Sequence, residues 1–428
     1  MQVNDIVLDH RTKGIPGLSG PFAAGHIATK GWNVLRGDMP LPLAVLKESV
    51  LANNAKWIAD FASAAGVSLC PHGKTTMSPE IFRRQLAGGA WGITLSTAHQ
   101  VQVARDFSVN RILLANQLVD PTFIDYISAE LTRDPTFDFY CLVDSVAGVN
   151  LLRDRLAGSR PVRPVQVLIE VGMRGGRTGC RSIEQVLEVA RAAKGSSPLL
   201  TVRGVEGFEG VVPHSAIEDP QPVRDFLDFM TRAARAIQNE NLFSADEIIL
   251  SAGGSAYFDI VADHLRGLEF GRPYRVVLRS GCYVSHDSDM YVTYFDAIER
   301  RSSLARSVPG RLSAALELLA YVQSRPEADL VLLTAGKRDC SYDHHLPTPL
   351  ATMRPGRDKA LSRLGSGFVV TTLNDQHAFM RVPVESDIAV GDIVALGVSH
   401  PCTTFDKWDV VYGIDDEYNV VSAFKTYF

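Results

Sequence analysis

Five stretches of this chain carry residue types whose spacing could do chemistry. The first is Cys70-Pro71-His72-Gly73-Lys74-Thr75-Thr76, which follows the short apolar run Val67-Ser68-Leu69 and precedes a helix opening at Ser78-Pro79-Glu80. Lys74 therefore stands where a strand gives way to a loop, and an amine there is placed to attack a carbonyl. On its own a loop lysine is more simply a solvated cation. A second stretch, Glu170 to Gly179, sets Arg174 and Arg177 among glycines that let the backbone approach a ligand. A third, Ser251-Ala252-Gly253-Gly254-Ser255, joins an apolar run to a segment beginning Ala256-Tyr257-Phe258 and so offers free backbone N–H groups and a hydroxyl, the makings of a phosphate cradle. Beside it runs a second glycine turn, Leu278-Arg279-Ser280-Gly281-Cys282-Tyr283. The fifth is Ser399-His400-Pro401-Cys402, in which His400 and Cys402 are two apart and project from one face of extended chain, a thiolate and an imidazole that suit Zn²⁺. Asp343-His344-His345 and Ser285 to Asp289 read as polar loops.

The elements that must position these residues alternate. Strand-like runs occur at 67–70, 91–95, 111–115, 137–143, 165–171, 201–208, 247–251 and 275–279, with helical segments such as Pro79–Ala87, Ala98–Phe107, Ile183–Ala193 and Pro222–Gln238 between them. Eight such units fit a (β/α)₈ barrel better than a doubly wound sheet, and the loops after the strands would then share one face. Leu43 to Ala65 reads as one helix ending at Gly66, and Trp32-Asn33-Val34-Leu35 as a short strand. After Ser285 strand-like pieces arrive without helices between them, which reads as a mainly β domain. The division expected is an N-terminal segment 1–39 packing with the β domain, a barrel over 40–285, and a β domain over 286–428.

The 428 residues are 46% hydrophobic and 21% charged, the profile of a globular protein with a large core. A net charge of −5 without basic clusters argues against nucleic acid, and no segment is apolar for long enough to span a bilayer. A small molecule is the expected partner and the cytosol the expected location. Six cysteines without a C-x-x-C pair are expected to be reduced, with Cys402 set apart by His400.

With these pieces in order, the chain resembles the fold-type III pyridoxal-phosphate enzymes, alanine racemase-like barrels, and within them the D-serine dehydratase and D-threonine aldolase family. The resemblance runs from Gly37-Asp38-Met39-Pro40-Leu41-Pro42 to the C-terminus and rests on Pro71-His72-Gly73-Lys74-Thr75, Arg177-Thr178-Gly179, Ser251 to Ser255, Leu278 to Tyr283 and His400-Pro401-Cys402. It implies that Lys74 carries pyridoxal phosphate as a Schiff base, that Gly254, Ser255, Cys282 and Tyr283 hold the phosphate, and that Arg177 faces the ring. His72 and Gly281 join the implied cofactor-binding residues, and His400 and Cys402 would bind a divalent metal, zinc before manganese or magnesium. The implied reaction is dehydration and deamination of a D-3-hydroxy amino acid such as D-serine or D-threonine to a 2-oxo acid and ammonia. Its alternatives are retro-aldol cleavage to glycine and an aldehyde, an amino-acid racemase, or a non-catalytic pyridoxal-phosphate-binding protein. A homodimer is implied as well. The chain departs from the family pattern where Cys70 replaces arginine, where Cys282 replaces asparagine, and where Phe208-Glu209-Gly210-Val211 replaces Tyr-x-Gly-His.

Overall fold

The computed structural model of the chain describes residues 5–212 and 217–428; residues 1–4 of the N-terminal segment and 213–216 lie outside the described residues. Eight parallel strands, Ser68–Leu69, Ile93–Leu95, Arg111–Gln117, Asp138–Val143, Val165–Val171, Leu200–Gly207, Ile248–Ala252 and Tyr274–Leu278, form one curled sheet. They are the eight runs expected. The first strand pairs with the eighth, Leu69 against Leu278. The seam to the second strand closes through a parallel bridge between His72 and Thr94 and the Thr94 N–H donating to the Pro71 carbonyl at 2.9 Å. The barrel is thus completed by the Lys74 loop itself, because its first strand is too short to do so.

Inside the barrel Cys70, Leu113, Tyr140, Leu142, Leu168, Ile249 and Val277 pack as a cluster of their own, one residue or two from most of the strands. This apolar plug closes the space beneath the C-terminal ends of the strands. Cys70 is wholly buried in it, and burial pushes its thiol up to about 12.

The second sheet is antiparallel for the most part and is built around Leu316–Glu327, which pairs with Ile393–Gly397 on one side and Leu330–Leu333 on the other. Three sequence expectations change here. The stretch 43–65 is a strand, Leu43–Lys47, followed by a helix, Glu48–Ala65. Leu43, Ala44, Val45 and Leu46 are all fully buried, which an amphipathic helix would not allow; they pair with Leu316–Leu319 and, in parallel, with Tyr412–Ile414. The second sheet therefore begins inside the span assigned to the barrel, and a cut at residue 40 separates that strand from its partners. Val34–Arg36 is a 3₁₀ turn capped by Asn33 rather than a strand. The region after Ser285 opens with two helices, Met290–Arg301 and Ser303–Ser307, before its strands begin.

The N-terminal segment lies along this sheet. Tyr412 donates its hydroxyl to the Lys13 carbonyl at 2.7 Å, and the Val34 N–H donates to the Tyr418 carbonyl at 3.1 Å. Among the described residues no helix is long and apolar enough to cross a membrane.

Candidate active site

At the C-terminal ends of the barrel strands a cavity of about 190 Å³ is lined by His72, Lys74, Arg177, Gly254, Ser255, Gly281 and Cys282 from the barrel loops and by His400 and Cys402 from the second domain. Nine of the ten residues singled out from sequence therefore meet at one place. Tyr283 does not line it; its buried hydroxyl accepts from Gln85 Nε2 at 3.1 Å and points into the protein. The turn Cys282–Val284 rotates successive side chains to different sides, so Cys282 lines this cavity and Tyr283 does not.

Lys74 sits in a single 3₁₀ turn, Gly73–Thr75, and its side chain is exposed to the cavity. The turn is pinned from behind, where a side chain at Gly73 would strike Phe82 at 2.7 Å and Ile93 at 2.9 Å. His72 hydrogen-bonds Ser96 Oγ through Nε2 at 3.3 Å, while its buried Nδ1 has no partner. Burial first, and then the cations of Lys74 and Arg279, hold this imidazole well below the usual histidine range, so it is neutral.

The phosphate cradle is differently wired from its sequence reading. The Glu209 carboxylate, wholly buried, accepts the Gly253 N–H at 3.1 Å and the Gly254 N–H at 2.5 Å. Those two donors are taken. Among the described residues the backbone N–H groups of Ser255, Gly281 and Cys282 donate to no protein acceptor, and these remain for an anion. Gly281 must be glycine because a Cβ there would lie 2.4 Å from the His72 carbonyl oxygen. Gly253 holds φ +93°, a left-handed turn that swings the next residues toward the cavity.

Beneath the mouth lies a charged floor that sequence reasoning passed over. Arg279 pairs with Glu206 at 2.5 Å, with both side chains at most 5% exposed, and also donates to Ser251 Oγ at 2.8 Å and the Gly207 carbonyl at 3.1 Å. Burial pushes Glu206 up to about 8 against the pull of Arg279, and its Oε2 has no partner. Glu170 accepts from Thr178 Oγ1 at 2.7 Å and from Gln117, and burial raises its pKa too. Glu170, Glu206 and Arg279 all point inward from strand ends, a placement that alternation along a strand predicts once the barrel's inner face is known. Arg177 stands at the rim with its guanidinium 4.6 Å from the Phe208 ring centroid.

From the second domain, the loop before the short helix Cys402–Phe405 brings in the sulfur and imidazole donors. Cys402 Sγ lies 3.5 Å from Cys282 Sγ and 3.5 Å from Thr75 Oγ1. A hydrogen bond from Cys402, together with one from Tyr291, holds the Cys282 thiol down at about 6, despite its burial. His400 Nδ1 is bonded to Asp343 Oδ2 at 2.6 Å, so Nε2 is its free ligating atom. His344 lies beside it with its ring tilted, ring centroids 4.7 Å apart, and Asp343, His344 and His400 have ligand atoms within 4.8 Å of one another. The Asp343-His344 loop is thus part of the site's rim; its neighbour His345 turns away to Asp289 at 2.5 Å.

The family described as "Putative serine dehydratase domain" matches residues 315–414, the part of the second domain that contains His400-Pro401-Cys402. A 3-hydroxy-D-aspartate aldolase of Paracoccus denitrificans is 26% identical over 72% of this chain and 75% of its own length. The chain is thus similar to enzymes of the D-serine dehydratase and D-threonine aldolase kind. Its fold is shared with solved enzymes of this kind. The D-threonine aldolase of Filomicrobium marinum superposes with a TM-score of 0.75 at 19% identity, covering 92% of this chain and 97% of that one. The D-threo-3-hydroxyaspartate dehydratase of Delftia sp. HT23 superposes with a TM-score of 0.69 at 20% identity, covering 92% and 99%. Two sulfurs, Cys282 and Cys402, line one wall of this cavity.

Proposed function

We propose that the chain is a lyase dependent on pyridoxal phosphate and a divalent metal, acting on D-3-hydroxy amino acids and converting D-serine or D-threonine to a 2-oxo acid and ammonia. The observation that carries this reading is the convergence of Lys74, from the first barrel loop, with His400 and Cys402, from the other domain, on one cavity.

The residues fit both groups. The unpartnered N–H groups of Ser255, Gly281 and Cys282, with the Ser255 hydroxyl, suit a phosphate, and the steric requirement for Gly281 keeps that approach open. His400 and Cys402 supply an imidazole and a sulfur, donors that suit Zn²⁺ better than Mn²⁺ or Mg²⁺. Pyridoxal phosphate would supply a carbonyl for the Lys74 amine and an electron sink for charge developing at Cα, and the metal a Lewis acid for the β-hydroxyl.

The protein's own groups do the rest. Lys74 is the one lysine among the residues lining the cavity, and its Nζ takes the Cα proton of the substrate. Arg177, at the rim of the cavity, would face the pyridine ring. The neutral His72 adds no second cation beside Lys74, so the amine's base function is not opposed by a protonated neighbour. The Arg279–Glu206 pair and the apolar plug below it keep bulk water from entering through the barrel.

Incubation with D-threonine tests the reading: 2-oxobutanoate and ammonia are expected, lost on chelation. Glycine and acetaldehyde would instead establish the second reading, an aldolase, which the Paracoccus relative favours by its name. Full activity after chelation would point to a racemase. The same reading makes the protein a homodimer with each β domain near its partner's barrel mouth, and sedimentation velocity showing a monomer would overturn that part.

A further inference from the structure

We propose that Cys282 is a second thiolate donor to the metal held by His400 and Cys402, so that the ion has two sulfurs and one imidazole and keeps a single position for the substrate. The inference rests on the metal-dependent reading above and assigns a residue of this chain that the His-x-Cys pair does not contain.

The two sulfurs are 3.5 Å apart. Two thiolates on a tetrahedral zinc ion, each at about 2.3 Å, stand about 3.8 Å apart, so the sulfurs need only a small outward shift, while the His400 imidazole, which is not within 4.8 Å of both sulfurs, swings toward them to complete the set. Both sulfurs also approach the same atom, Thr75 Oγ1, at 3.6 Å and 3.5 Å, which sets them on one side of the Lys74 turn. Cys282 is held by its backbone: its carbonyl accepts from the His286 N–H at 2.7 Å, and the Ser285 carbonyl accepts from the Ala315 N–H of the second domain at 2.7 Å. The turn that carries Cys282 is thereby tied to the domain that carries Cys402. His400, with Nδ1 committed to Asp343, offers Nε2. Three donors with one open position is the pattern of a catalytic zinc site, and two thiolates favour thiophilic ions over Mn²⁺ or Mg²⁺.

The competing donor set is Asp343, His344 and His400, all nitrogen and oxygen, of which His400 lines the cavity. Cobalt substitution separates the two. Chelator-treated, pyridoxal-phosphate-loaded protein is titrated with Co²⁺ under reducing conditions, and the sulfur-to-cobalt charge-transfer band is read for the wild type, Cys282→Ser, Cys402→Ser and the double variant. Two thiolate ligands predict that each single variant loses about half of the band and the double variant all of it. A Cys282→Ser protein with the full band overturns the proposal, as does bound cobalt with no sulfur band in the wild type, which assigns the ion to Asp343, His344 and His400. Absence of any bound cobalt sinks the metal-dependent function itself, a separate outcome. X-ray absorption on wild-type protein loaded with zinc supplies a count free of variants: two sulfurs support the assignment and one refutes it.

Discussion

The two halves of the active site are built differently. On the barrel side the charged groups are closed in: Arg279 and Glu206 are 5% and 2% exposed and tied to Ser251 and Gly207. On the side of the second domain, His400 and Asp343 are 20% and 42% exposed, and His400 is steered by a single bond through Nδ1. A closed network of buried charges holds one geometry whether or not a ligand is present, because breaking any member strands another. The open side, with more exposed groups and fewer bonds, can adjust. The barrel half is therefore a preformed receptor, while the other half is organised by what it binds.

Substitutions that strike one half and spare the other can break this contrast. Lys74→Ala should remove the visible cofactor band and lower turnover of D-3-hydroxy amino acids by roughly 10³-fold or more, with thermal stability little changed. Cys402→Ala should keep the cofactor band and weaken metal binding, measured by metal titration; a protein that kept full metal affinity and turnover would end the division of labour. Asp343→Asn removes the carboxylate that orients His400 and should weaken metal binding by about 10–100-fold while leaving cofactor affinity alone. Gly281→Ala places a carbon 2.4 Å from the His72 carbonyl oxygen, so it should cost about 1–3 kcal/mol of stability and weaken cofactor binding, without first affecting the metal.

The smallest effect concerns the joint between the halves. His286 is buried in a left-handed backbone conformation just after Cys282, and burial lowers its pKa from 6.5 to about 4. Between those values the folded protein binds fewer protons than the unfolded chain. The stabilisation is complete above pH 6.5 and is lost as pH falls toward 4, by at most about 3 kcal/mol. His286→Gln should flatten that part of the stability profile, measured by urea denaturation across the range.

Much of the fold can be read along the chain. Each barrel strand is short, apolar and followed by a helix, so local pattern alone marks all eight. The strand Leu43–Lys47 escaped because its four buried residues continue directly into the apolar face of the helix Glu48–Ala65 with no glycine or proline between them. Period cannot separate a fully buried strand from a helix start. The site residues on loops were legible because glycines and a lysine mark them. The pairing of Glu206 with Arg279 was not, since Glu206 sits in an ordinary strand and Arg279 just past the end of another, and they become notable only by facing each other across the barrel. Tyr283 was assigned with Cys282 as its neighbour in sequence, and the 3₁₀ turn sends the two in different directions.

By itself the sequence determined the alternation of strands and helices, the Lys74 turn, the glycine turns beside Ser255 and Cys282, and the His-x-Cys pair, because each depends on residues within a few positions of one another. Only the tertiary structure decided that Glu209 takes the Gly253 and Gly254 amides, that Asp343 steers His400, and that Cys282 meets Cys402, 120 residues away. Those contacts depend on where two sheets dock, and that docking is set by the burial of whole faces rather than by any local run of residues.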